Sequence, residues 1–147
     1  LTERVDSSMV DAFEQATSTN DPASDHLRQG WIAAFGRSPN GTSAYDHAVK
    51  SVEAALSPVV APKNSKSTLG TDIRDMTDGA SKFELDPGDP TDIEPFITTC
   101  KHLWQGQFRH GDANKLATHT VEEGVAAIQL AVLLVGLVHS GAFRRIA

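Results

Sequence analysis

One stretch of this sequence concentrates side chains that handle protons and anions: Gln105-Gly106-Gln107-Phe108-Arg109-His110-Gly111-Asp112. It sets two amides, a guanidinium, an imidazole and a carboxylate close together. Arg109 offers a planar fork of donors suited to phosphate, and His110 can exchange a proton near neutral pH. Such a pair could cleave a phosphodiester without a metal, Arg109 holding the phosphate and His110 acting as acid or base. Gly106 and Gly111 bracket the set and let the backbone leave helical geometry there. The same residues also have a structural reading. In it, Arg109 and Gln107 hydrogen-bond the segment 112–119, and His110 caps carbonyl groups.

A second polar stretch is Pro62-Lys63-Asn64-Ser65-Lys66-Ser67-Thr68-Leu69-Gly70. Lys63, Lys66 and hydroxyls at a helix start suit an anion such as RNA phosphate, with Gln105 and Gln107 as further polar contacts. A solvated turn with a helix cap is the alternative. The glycine spacing of a phosphate-binding P-loop is missing, as are Gly-x-Ser-x-Gly and Gly-x-Gly-x-x-Gly, so no cofactor is expected. The six histidines lack carboxylate or cysteine companions at ligand spacing, and no metal site is expected. The lone Cys100 falls on the apolar face of a helix, as a core thiol does, and suits a reducing, cytoplasmic compartment.

The element that must position these groups is the run 125–138, in which only Gln129 is strongly polar. A helix apolar all round is buried on most sides, and a run shorter than about 18 residues does not span a bilayer, so no membrane is expected. Thr120 and Glu123 form a capping box at its start, and Ser140-Gly141 stop it before Arg144-Arg145. Ahead of it, helical spacing predicts helices over 2–17, from Asp21-Pro22 to Phe35, and from Thr42 or Ser43 to Leu56, where Pro58 breaks the third. A short helix capped by Ser67 and a fifth from Thr91 or Asp92 to Gly111 complete the set. Between them, 78–95 reads as a solvated acidic loop, with a strand-like arm at Lys82-Phe-Glu-Leu as the alternative. The chain is thus a single all-α domain over 1–147, a bundle of about six helices around a buried C-terminal core helix. Its net charge of −6 over 147 residues excludes indiscriminate nucleic-acid binding by the whole surface but leaves local basic patches open. It opens at Leu1 without a methionine, as expected of a domain within a longer protein.

Three stretches carry a resemblance. Trp104-Gln-Gly-Gln-Phe-Arg-His-Gly111 precedes a capped helix of the type Thr-x-Glu-Glu-x-x-x-Ala-x-x-Leu-Ala. Upstream stand Tyr45-Asp-His-Ala-Val-Lys-Ser-Val-Glu-Ala-Ala55 and the Pro62–Gly70 turn. Over 44–144 the chain resembles the C-terminal part of bacterial abortive-infection proteins, which are similar to the HEPN superfamily of helical bundles. That resemblance implies a prokaryotic phage-defence domain that binds or cleaves RNA, and a homodimer. The HEPN ribonuclease pattern of an arginine and a histidine separated by four to six residues is not intact. His110 and Gly111 carry over, with Arg109 as a relocated cation, so the resemblance implies a metal-independent endoribonuclease with a rearranged site or a non-catalytic member. The other reading is a non-enzymatic dimerisation or regulatory module attached to an upstream effector domain.

Overall fold

Capping side chains decide where the helices begin. The computed structural model describes residues 5–107 and 118–146. Asp6 accepts the Ser8 backbone N–H at 2.8 Å and opens α1 (Ser7–Ala16). Asp21 does the same for Ser24 at 2.8 Å and, with Pro22 in the first helical position, opens α2 (Pro22–Phe35). Asn40, rather than Thr42 or Ser43, caps α3 (Gly41–Val60). That helix runs through Pro58 to Val60 instead of ending at Leu56. Thr68, not Ser67, caps α4 (Leu69–Asp78), in a box closed by Thr71. Pro95 lies in the first turn of α5 (Glu94–Gly106), and the Thr120–Glu123 box opens α6 (Val121–His139) as expected.

These six α-helices, among the described residues, form an all-α bundle with one minor sheet. Helix α6 packs against α3 and also meets α1 and α2, burying Ala127, Ile128, Ala131, Leu134 and Val135. At the α3–α6 crossing the backbones nearly touch: a Cβ on Gly124 would lie 2.8 Å from the Gly41 Cα. Two expectations for α6 need correcting. It is 19 residues long, so by length and composition it could cross a membrane, and the core role rests on its packing rather than its length. It is also not buried all round, because Leu130 is only half-buried and Leu133 is 51% exposed.

The acidic segment 78–95 is more ordered than its composition implies. β1 (Phe83–Leu85) pairs antiparallel with β2 (Phe143–Arg145), with Glu84 opposite Arg144. Arg144 bridges Glu84 at 2.9 Å and Asp86 at 2.8 Å, and it also donates to the Gly141 carbonyl just past α6 at 3.3 Å. Phe143 stacks between Phe83 and Phe96, sealing the sheet onto α5.

Candidate functional site

Along α3, His47, Lys50, Glu53 and Ser57 recur at helical spacing on the face opposite the buried Ala44, Ala48, Val52 and Ala55. Facing that polar stripe are His26 of α2 and the turn that leads into α4. Apart from His47, which stands behind it, these groups line an open cleft of about 700 Å³, with His26, Lys50, Glu53, Ser57, Asn64, Ser65 and Ser67 as its polar wall. Asn64 shapes the turn by accepting the Lys66 backbone N–H at 3.0 Å. Lys50 pairs with Asp46 one turn back, at 2.9 Å.

Two carboxylates anchor the turn. Glu53 Oε2 accepts the Leu69 N–H at 2.8 Å, placing a negative charge at the positive end of α4. The N-terminus proposed from sequence as an anion site therefore already holds a carboxylate of the same chain. Burial pushes the Glu53 carboxyl above its ordinary range, against the pull of that hydrogen bond, and the nearby Asp72 charge adds to the rise. Asp72 is 0% exposed; its Oδ2 accepts the Ser57 hydroxyl at 2.6 Å and its Oδ1 accepts the Ser67 hydroxyl. Burial raises this carboxyl as well, while the two hydroxyls oppose the rise.

The other motif residues divide between packing and surface. Gln105 is exposed at the end of α5, whereas Gln107 is buried, so the two amides do not form one surface. Lys63 and Lys66 are exposed on the turn. Lys63 lines a second cleft with Lys82 and Arg145. Arg109 and His110 lie outside the described residues. Close packing accounts for two motif glycines: a Cβ on Gly106 would fall 2.1 Å from the Tyr45 hydroxyl, and one on Gly70 would fall 2.9 Å from the Trp104 ring. Tyr45 also donates to the Leu103 carbonyl at 2.6 Å, so all three resemblance-bearing stretches touch one another. Cys100 is fully buried and desolvation pushes its thiol up to about 12, which makes it an inert core group.

The histidines play separate parts. His119 stacks on Tyr45 at 4.1 Å, and its backbone N–H donates to Thr42 Oγ1 at 2.9 Å. His139 contacts the Ala16 carbonyl at 2.8 Å and Asp21 at 3.2 Å, tying the end of α6 to the α1–α2 junction. Among the described residues, no three His, Cys, Asp or Glu side chains gather as a metal would require. What the spacing did not reveal is that His26 and His47 meet, Nδ1 to Nδ1, at 3.1 Å. They stand 21 residues apart on different helices, and no periodicity signals such a contact. Glu53 was visible only as part of Ala48-Val-x-x-x-Glu53.

No protein-family model, curated protein or solved structure matches this chain.

Proposed function

We propose that this chain is a HEPN-like helical domain of a prokaryotic, cytoplasmic phage-defence protein of the abortive-infection type, and that it binds RNA in the cleft between α2, α3 and the turn into α4. One observation supports this reading: two of the resemblance-bearing stretches, Ala48-to-Glu53 and Pro62-to-Gly70, converge on that cleft. There they supply Lys50, Asn64 and the Ser65 hydroxyl, with His26 opposite and Lys63 and Lys66 exposed on the same turn. Cations and amide donors of this kind hold phosphates by position, and the affinity they give falls with salt.

The test is fluorescence anisotropy with labelled single-stranded RNA at low and raised salt. The parent should bind in a salt-dependent manner, and the double variant Lys63→Ala/Lys66→Ala should bind about tenfold more weakly. Absence of binding at low salt overturns the proposal. The same incubations read cleavage, which the resemblance assigns to Arg109 and His110. Degradation that R109A and H110A each abolish, at unchanged melting temperature, makes the domain a metal-independent endoribonuclease. Intact RNA makes it a binding module.

The second reading, a dimerisation or regulatory module of a larger effector, is favoured by the outer face of α6. Leu133 is 51% exposed there beside Ala126, and Gln129 is the one polar side chain between Gly124 and Val138. A face without charge can meet its own copy across a two-fold axis without like-charge repulsion. Light scattering should give a dimer at micromolar concentration, and Leu133→Glu should give a monomer; a monomeric parent sinks this reading.

A further inference from the structure

The His26–His47 contact has no part in the packing described so far, yet it lies in the wall of the proposed site. His26 lines the cleft, and His47 stands behind it, half-buried. With the two Nδ1 atoms 3.1 Å apart, one ring must donate a proton and the other must accept it. The contact therefore tolerates two charge states. Both rings can be neutral, or one can be an imidazolium that donates to its neutral neighbour. Two imidazolium rings would set N–H against N–H and break it. In the singly charged state the hydrogen bond is charge-assisted and stronger than the neutral one.

We propose that the His26–His47 pair acts as a single proton-binding unit that couples anion binding in the cleft to the uptake of one proton. This rests on the cleft being an RNA site and adds its regulation. An entering phosphate places negative charge beside His26, which favours the charged state of the pair without costing the contact between α2 and α3. The surroundings agree. Desolvation holds His47 below the ordinary histidine range, His26 and Lys50 add to that, and Asp46 opposes it. The other charges nearby largely cancel: Asp46 pairs with Lys50 at 2.9 Å, and Asp25 with Arg28 at 3.0 Å along α2. Helix α6 meets this junction with the apolar Ile128. The remaining titratable group of the cleft wall is Glu53, and it is the competitor for the proton. Two nitrogen donors alone are too few for a structural metal site, so a shared proton is the simpler occupant.

The experiment is titration calorimetry of the intact chain with a short single-stranded RNA, in two buffers of different ionisation enthalpy, from pH 6 to pH 8. The expected result is uptake of about one proton per RNA and a Kd that weakens about tenfold per pH unit above the titration of the pair. The double variant H26Q/H47Q should lose that slope, changing less than about twofold per pH unit, whereas E53Q should keep it. Binding by the parent without proton uptake overturns the inference and leaves the RNA reading intact; this arm needs no variant to fold. A slope kept in H26Q/H47Q but lost in E53Q overturns it too, assigning the proton to Glu53. No binding at any pH overturns the RNA reading and this inference together.

Discussion

Asp72 and Glu53 both stand where α4 begins against α3, and burial raises both carboxyls above the ordinary range. Their surroundings then diverge. Both oxygens of Asp72 are occupied by the hydroxyls of Ser57 and Ser67, and no solvent reaches them. Glu53 gives one oxygen to the Leu69 N–H while its side chain lines the open cleft. The first arrangement is a closed joint: every acceptor has a donor, and the group can change only by breaking the seam. The second holds the same kind of charge at a helix end but leaves it within reach of a ligand and a proton. Burial alone therefore does not mark a functional carboxylate; incomplete enclosure does. The contrast also separates the two hydroxyls from the lysines, since Ser57 and Ser67 are tied to the joint whereas Lys63 and Lys66 are exposed on the turn.

The strongest way to break this comparison is to remove the joint. Asp72→Ala should destabilise the fold by about 2–4 kcal/mol, because two hydroxyl donors lose their shared acceptor at once. Asp72→Asn, which keeps one acceptor, should cost about half of that. Chemical denaturation reads both, and an Asp72→Ala variant as stable as the parent would show the joint to be idle.

Glu53→Gln is the milder case. Its amide oxygen can still accept from Leu69, so the change at neutral pH should stay within about 1 kcal/mol. The pH profile is more telling. A carboxyl with a raised folded pKa supports the fold fully below its unfolded value, near 4.5 for Glu53, and that support is lost as pH rises through the raised value. The parent should therefore lose stability on going upward from about pH 4.5, and Glu53→Gln should lose less. Melting temperatures of the two chains across that range test this; parallel profiles count against a raised Glu53.

The smallest effect on stability belongs to Lys63→Ala/Lys66→Ala, within about 0.5 kcal/mol, since both side chains are exposed. The same substitutions should have the clearest effect on RNA binding. A fold that weakens with them would place the lysines on the joint's side of the comparison.

How far the sequence could be read follows from the range of the forces at work. The Thr120–Glu123 box and the apolar run after it are local, and α6 stands where they put it. Asp21-Pro22 marked α2 for the same reason. Helix α3 outran its expected end because one missing N–H at Pro58 is outweighed by the burial of Val60. The strand-like alternative at Lys82-Phe-Glu-Leu coincides with β1, but its pairing with β2 was hidden because the two strands are three residues long and far apart in the chain. The acids around β1 read as solvated until Arg144 arrives from β2 to pair with Glu84 and Asp86. Asp72 was legible in principle: Leu69, Asp72, Ile73 and Met76 follow helical spacing, which puts a carboxylate on the inner face where only a donor can satisfy it. The cleft itself was half legible, since its turn and its Glu53 lie in recognisable stretches while the His26 contact depends on how α2 and α3 cross. The Arg109–His110 pair lies outside the described residues, and its role is a matter for the R109A and H110A variants.

The central claim is that the open side of α3, and not the joint beside it or the outer face of α6, receives the ligand. The most direct measurement is a backbone amide NMR titration of the chain with single-stranded RNA. The largest shifts should fall on Lys50, Glu53, Asn64 and Ser65, with His26 opposite, while Asp72 and Ile73 shift little. Shifts confined to 126–137 on α6, or none at saturating RNA, would contradict it.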